Sequence, residues 1–576
     1  MRKSGLLKIA SFILTAVIIT SCGGIKKMVK NYDQVTYTVT PTVLEMHGDS
    51  VEVNISGKFP PKYFAKKVVA EATPTLKFEG GEKAYKMTKL QGEAVQDNNK
   101  VISYVDGGSF SFNGKIGFED AMRLSKLEIK IDAYLAKKPE KKTTFSAKQI
   151  ATGVIATPSL VNLKGRTILG KDNFQRITSA NKGAELLYQI QQANIKPAEL
   201  KKEQIKDLVA FIDEVKNNKR KEFIGVSVSS YASPDGTMEL NSKLSEKRKG
   251  TADKYVENQL KKVANAKNEG FVTSTTTAED WDGFKTVLEG SQIADKDLIL
   301  RVLSMYSDGD QREKEIKNIA AAYTELAKDI LPQLRRSKIN VNINLIGYSD
   351  TELDSIFNVS PDSLKEEEML YTATLKQDND FKLKVYTKFA EKFAKDWRGE
   401  NNKGTILWAQ DKFTEAKQAF EAAKAIDNSN PIILNNLGAC ELKEGNIEKA
   451  KELLKSASGA GAEVNHNLGV IAIKEGDYAG AGSYFGDECS MCAGLAKTLN
   501  GDNDGGINAV NCGACKETAM GYYLKAVIGA RKADSDALFT NLRSAIEKKA
   551  ELKKLALTDM EFAKFFENDT FKSIVK

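Results

Sequence analysis

The sequence predicts a multidomain α+β chain with an N-terminal β-sandwich, a central α/β domain carrying a helical insertion, and a C-terminal α-helical solenoid. Three observations carry this. Short runs of alternating polarity punctuated by glycine and asparagine fill the first part; a buried strand, a turn and an amphipathic helix succeed one another near residue 230; and aligned glycines recur after residue 400. At 576 residues the chain exceeds what a single hydrophobic core organises.

The first residues set Arg2, Lys3 and Lys8 ahead of an apolar run from Ile9 to Ile19, which reads as a secretory signal too short to span a membrane. It closes in Ile19-Thr20-Ser21-Cys22-Gly23. This resembles the lipobox of bacterial lipoproteins, in which the cysteine is acylated and becomes the new N-terminus. The resemblance implies a signal peptide over 1–21, lipid attachment with palmitate at Cys22, and a lipid-anchored linker over 22–33. No aspartate follows Cys22 and no acidic run comes after it, which by analogy points to the outer membrane and a periplasm-facing tether. Acyl chains hold a protein at a membrane without a spanning helix.

From residue 34 to 136, Val51–Gly57, Ser109–Gly114 and Leu127–Ile131 alternate as strands, and turn signals at short intervals read as a small β-sandwich. The charged run Lys137-Lys138-Pro139-Glu140-Lys141-Lys142 reads as a connector at a domain boundary.

The region 150–357 holds a strand from Phe223 to Ser230, the turn Tyr231-Ala232-Ser233-Pro234-Asp235-Gly236, and a helix from Leu240 to Val263. The turn, Asn241, and Leu244-Ser245-Glu246-Lys247-Arg248 resemble the OmpA-like domain, a peptidoglycan-associating α/β fold. The resemblance implies that Asn241 and Arg248 hold a peptidoglycan stem peptide, Arg248 gripping its carboxylate. Ser233 stands where the family has an aspartate, so Asp235, two residues on, is the candidate for the missing carboxylate. Without wall contact the same face reads as protein-binding. The domain is larger than the family's usual size: a helical stretch from Lys285 to about Leu334, broken near Ser307-Asp308-Gly309-Asp310, is expected as an insertion of two packing helices before a strand at Ile339–Tyr348.

Aligning Gly404, Gly438 and Gly469 places Ala416, Ala450 and Ala481 twelve residues later and Phe420, Leu454 and Phe485 sixteen later. Small residues let antiparallel helices approach while the bulky one fills the seam, so the pattern has a packing cause. The spacing is similar to that of tetratricopeptide (TPR) repeats, with flanking helices extending the array over 364–576. The resemblance implies a concave groove that holds a peptide or another protein, and the combination of domains is similar to Bacteroidetes-type outer-membrane lipoproteins.

Cys489, Cys492, Cys512 and Cys515 form a C-x2-C-x19-C-x2-C pattern that a helical hairpin would bring to one end. That spacing suits a structural zinc, but an exported chain folds under oxidising conditions, where disulfides across the hairpin are favoured. Dithiol redox chemistry is the remaining alternative, although no thioredoxin-like βαβ pattern surrounds either pair. Cys440, beside the seam, reads as a small buried hydrophobe.

The chain has only two histidines, His47 and His466, far apart in sequence, which argues against imidazole catalysis. Its formal charge of +8 is spread among interleaved acids, arguing against nucleic acid. The expectation is a non-enzymatic scaffold without a cofactor, binding envelope proteins and in one reading peptidoglycan, within an outer-membrane biogenesis or secretion complex. The competing expectation is a metal-binding or redox-active envelope protein using the four paired cysteines.

Overall fold

The computed structural model describes residues 23–293 and 295–576; the expected signal peptide over 1–21 and the expected lipid-attachment residue Cys22 lie outside them. Among the described residues no helix is long and apolar enough to cross a membrane. The chain forms two compact units, one from the residues up to Gly170 together with Lys382–Lys576, the other from Lys171–Phe381.

The first unit opens with β1 (Thr36–Thr40), β2 (Val43–His47), β3 (Ser50–Phe59), β4 (Val68–Phe78), β5 (Gly81–Ala84) and β6 (Thr88–Gly92). β7 (Lys100–Ile102), β8 (Gly108–Gly117), β9 (Ser125–Leu135), β10 (Lys138–Thr144) and β11 (Lys148–Ile155) complete it. β3 alternates buried and exposed residues along its length, the mark of a strand with one face on a core. The expected sandwich proves to be one continuously hydrogen-bonded path, β1-β3-β2-β11-β9-β4-β6-β7, because β2 pairs with β3 on one side and β11 on the other.

Two expected boundaries move. The basic run 137–142 is not a connector: β10 pairs antiparallel with β9, its side chains all exposed, so charge here marks a solvated hairpin. The sheet therefore ends at Ile155 and not at 136. Residues 23–30, expected as a linker, are helical, and Met28 enters the β core while its carbonyl accepts from the Tyr63 hydroxyl at 2.8 Å.

The same unit resumes with paired helices: α1 (Trp397–Ala409) and α2 (Phe413–Ile426), α3 (Pro431–Lys443) and α4 (Ile447–Ser456), α5 (Ala462–Glu475) and α6 (Tyr478–Phe485). Then come α7 (Met491–Leu499) and α8 (Asn503–Asn511), followed by α9 (Ala519–Arg531) and α10 (Ser535–Lys548). The seam works as its sequence pattern requires. A Cβ on Gly404, Gly438 or Gly469 would lie 2.7 to 2.8 Å from Phe420, Leu454 or Phe485, and Ala416, Ala450 and Ala481 are fully buried. Gly445 and Gly476, at φ of +83° and +82°, turn the chain between paired helices, a conformation that favours glycine.

The second unit is built on a four-stranded sheet: β12 (Ile177–Leu187), β13 (Lys221–Tyr231), β14 (Val272–Thr277) and β15 (Arg336–Ile346), in the order β12-β15-β13-β14. β13 runs parallel to β14 and antiparallel to β15, and helices Glu203–Asn217 and Met238–Gln259 pack on it. The unit begins at Lys171, later than the expected 150. The insertion is also more broken than two helices. It comprises Trp281–Glu289, Lys296–Met305, Gly309–Asn318 and further short turns to Leu334, around a separate small core.

Candidate functional site

Residues 161–170 form no regular secondary structure, yet Gly165, Ile168 and Gly170 are buried. This segment lies in the groove of the helical array, and a row of asparagines holds its main chain. On α1, the Asn402 side chain accepts from the Gly170 N–H at 2.7 Å and donates to the Gly170 carbonyl at 2.8 Å. One repeat later, on α3, Asn436 does the same to Ile168, at 2.7 and 2.9 Å. On α5, Asn467 does the same to Arg166, at 2.7 and 2.9 Å.

Both main-chain groups of every second residue of an extended chain point to one side, so three asparagines at repeat spacing pair three alternate residues. The neighbouring Asn401 and Asn435 reinforce the rungs, donating to the carbonyls of Ile168 and Arg166 at 3.1 and 3.0 Å. Bonds between asparagines, Asn436 to Asn401 at 2.8 Å and Asn467 to Asn435 at 3.0 Å, link successive repeats. All five are buried to within 1% of full exposure loss, and an amide pays far less than an ion to be buried so long as its hydrogen bonds are made.

The ladder has side-chain terms as well. Trp408 Nε1 donates to the Gly165 carbonyl at 3.0 Å. A Cβ on Gly165 would lie 2.8 Å from the Cβ of Ala439, and one on Gly170 would lie 2.9 Å from Trp397, so the chain passes too close for a side chain at either. Ile168 joins the apolar core of the array. The Arg166 guanidinium reaches Glu488 at 2.7 Å, and His466 Nδ1 is 2.9 Å from the same carboxylate. Burial alone would raise the Glu488 carboxyl, but hydrogen bonds from His466 and Ser490 and the charge of Arg166 hold it below its usual range.

Each ladder asparagine stands two residues before a seam glycine: Asn402 before Gly404, Asn436 before Gly438, Asn467 before Gly469. The signal was present in the aligned repeats as NNKG, NNLG and HNLG, and it is the functional feature that the seam pattern by itself passed over. Cys492 occupies the same offset before Gly494. The groove expected to hold a peptide or another protein is thus filled by the chain's own residues 161–170.

The cysteines come together as the hairpin of α7 and α8 predicts, but only partly as expected. Cys489 and Cys512 form a disulfide that closes the hairpin, whereas Cys492 and Cys515 remain thiols. The four-thiolate zinc reading is therefore corrected: two of its sulfurs are bonded to each other, and among the described residues no group of three or more His, Cys, Asp or Glu is placed to hold a metal ion. Burial pushes the Cys492 thiol up to about 11, which leaves it protonated and a poor nucleophile at neutral pH. Cys440 is buried, and burial pushes its thiol up to about 12.

In the second unit the turn after β13 is closed on itself. Arg248 is fully buried, and three of its donors go to main-chain carbonyls, Nε to Gln192 at 3.1 Å, Nη1 to Tyr231 at 2.8 Å and Nη2 to Gln189 at 3.4 Å. Its guanidinium stacks 5.2 Å from the Tyr188 ring centre, and burial lowers it to about 10. Asn241 donates to the Gly236 carbonyl at 2.9 Å and braces the turn. Asp235 is paired with Arg335 at 2.9 Å and also accepts from Ser233. The structure thus brings Asn241, Arg248 and Asp235 to one turn, but commits Asp235 to Arg335, a partner that the sequence resemblance did not anticipate.

Residues 407–466 match the family model for the tetratricopeptide repeat. No curated protein sequence matches the chain. Among solved structures, the Cut9–Hcn1 hetero-tetramer of the APC/C is similar at 15% identity over 39% of this chain and 45% of that one, with a TM-score of 0.32. The chain therefore spans less than half the length of that relative. PilF of Pseudomonas aeruginosa is similar at 16% identity over 38% of this chain and 97% of that one, TM-score 0.28. A tetratricopeptide repeat protein from Parabacteroides merdae is similar at 12% identity over 37% and 91%, TM-score 0.29.

Proposed function

We propose that this chain is a non-enzymatic scaffold of the bacterial envelope, a lipoprotein tethered by Cys22 to the outer membrane and facing the periplasm, within a biogenesis or secretion complex. The observation that carries the binding half is the asparagine ladder: the array grips an extended polypeptide through its main chain. Tetratricopeptide repeats over 407–466 support protein–protein interaction as the work of this region. The anchoring half rests on the lipobox sequence ending at Cys22.

In this reading the ladder's first task is internal, fastening the end of the β-rich part along the helical array. The OmpA-like unit serves as a protein-facing or spacing module. Peptidoglycan is the weaker ligand, because Asp235 is neutralised by Arg335 and Arg248 spends three donors on its own main chain.

Labelled palmitate and velocity sedimentation of the full chain from its native envelope, in mild detergent with and without muramidase, test the proposal. Label on the wild type but not on Cys22→Ser, with a muramidase-resistant complex heavier than the monomer, is the expected result. A monomer throughout, or a heavy species that muramidase dissolves, would replace the scaffold with a solitary protein or a wall tether.

A further inference from the structure

We infer that residues 161–170 are a built-in pseudo-ligand and that the asparagine ladder is an exchangeable site. It would take, from a partner, an extended peptide of the same pattern: glycine, a basic residue, any residue, an aliphatic residue, any residue, glycine. This rests on the scaffold reading and names the chemistry of its partner.

Four features of the groove define that pattern. The three rungs bind main chain only, so they impose extended conformation and spacing without choosing side chains. Selection falls on the side chains of the rung residues themselves and on Gly165 just before them. Gly165 and Gly170 pass where any Cβ would collide with Ala439 or Trp397. Ile168 fills an apolar gap, and Arg166 meets the Glu488 carboxylate. Thr167 and Leu169 are not gripped by any rung, and Leu169 is exposed.

The own segment has the advantage of its tether, equivalent to a local concentration on the order of millimolar for a short connection. A partner peptide with the same contacts therefore enters only when the internal segment is weakened or when the partner adds contacts of its own. That is the behaviour of a site held shut by its own sequence until a matching partner arrives.

The test uses the full chain and a fluorescein-labelled peptide of residues 161–171 followed by anisotropy. In Gly165→Val/Gly170→Val the internal segment no longer fits, and saturable binding of the wild-type peptide is expected, with little binding to the wild-type chain at the same concentrations. Adding Asn436→Ala to that variant removes one rung and should weaken the peptide about tenfold or more. Ile168→Asp, which would place a charge in the apolar core that this side chain fills, gives a second opened chain should the double valine disturb folding. Absence of peptide binding to an opened chain of wild-type helicity overturns the inference, as does binding that Asn436→Ala leaves unchanged. The sedimentation experiment does not depend on the groove being exchangeable, so a negative result here leaves the scaffold reading standing.

Discussion

The asparagine ladder and the turn after β13 both bury polar side chains against main chain, but they reach opposite outcomes. In the ladder, neutral amides from three successive repeats pair with a segment 232 to 301 residues away in sequence. In the turn, Asp235 pairs with Arg335 while Arg248 donates to nearby main-chain carbonyls, all within one small unit. Buried charges demand full compensation, so a charged centre tends to close on itself. Amides cost less to desolvate and can be left facing a groove so long as some extended chain fills it. The helical groove therefore has an occupant by construction, while the turn, built from residues that resemble a ligand-binding motif, has spent its carboxylate internally.

Five measurements sharpen or break that contrast, and the charged centre should show the largest effect. Asp235→Ala leaves Arg335 buried without its carboxylate, and denaturant unfolding should register a loss of about 3 kcal/mol. A near-neutral result would mean that the turn is open enough for water to replace the pair, restoring it as a ligand site. The hairpin closed by Cys489 and Cys512 spans 23 residues, so Cys489→Ser should cost about 3 kcal/mol in thermal melts without reductant, and nothing once the wild type is reduced.

Removing one rung should cost less than breaking the ion pair. Asn436→Ala deletes the bonds to Ile168 and Asn401, and a loss of about 2 kcal/mol together with faster proteolysis within 161–170 is expected. Stability unchanged and cleavage unchanged would show that apolar packing of Ile168 holds the segment without the ladder.

Asp559 provides a pH-dependent comparison with Asp235, being a buried carboxylate without a basic hydrogen-bonding partner. Burial, and then the charge of Glu561, raise it from 3.8 to about 6, although it accepts from the Tyr523 hydroxyl at 2.8 Å. A raised carboxyl contributes stability that is fully present below pH 3.8 and lost as pH rises through about 6. Asp559→Asn should therefore stabilise the chain by roughly 1–2 kcal/mol at pH 8 and give no gain at pH 3.5. Equal effects at both values would remove the protonation account. The smallest effect belongs to Arg166→Ala: its ion pair with Glu488 is partly exposed, so a loss under about 1 kcal/mol is expected in the same melts. A loss rivalling that of Asn436→Ala would mean that side-chain charge, and not main-chain pairing, holds the segment.

Much of the fold was legible before the structure because its causes are local. The alternation in β3, the strand and helix flanking Ser233, and the seam of glycine, alanine and a bulky residue in the repeats each express a packing need within a few turns of chain. The cysteine hairpin was legible for the same reason, although only one cross-hairpin bond forms. Composition misled where charge had two meanings: the lysines of 137–142 mark an exposed strand as readily as a connector.

Helix packing depends on residues close in the chain, so the repeat register, and with it the placing of Asn402, Asn436 and Asn467 at one offset from the seam, is written in the local residue pattern. What those amides hold and what Asp235 pairs with depends instead on contacts made only once the chain is folded. Main-chain groups are identical at every residue, so nothing in Gly165-Arg166-Thr167-Ile168-Leu169-Gly170 spells out a partner some 230 to 300 residues away. Likewise Arg335 reaches Asp235 only because β15 is laid beside β13.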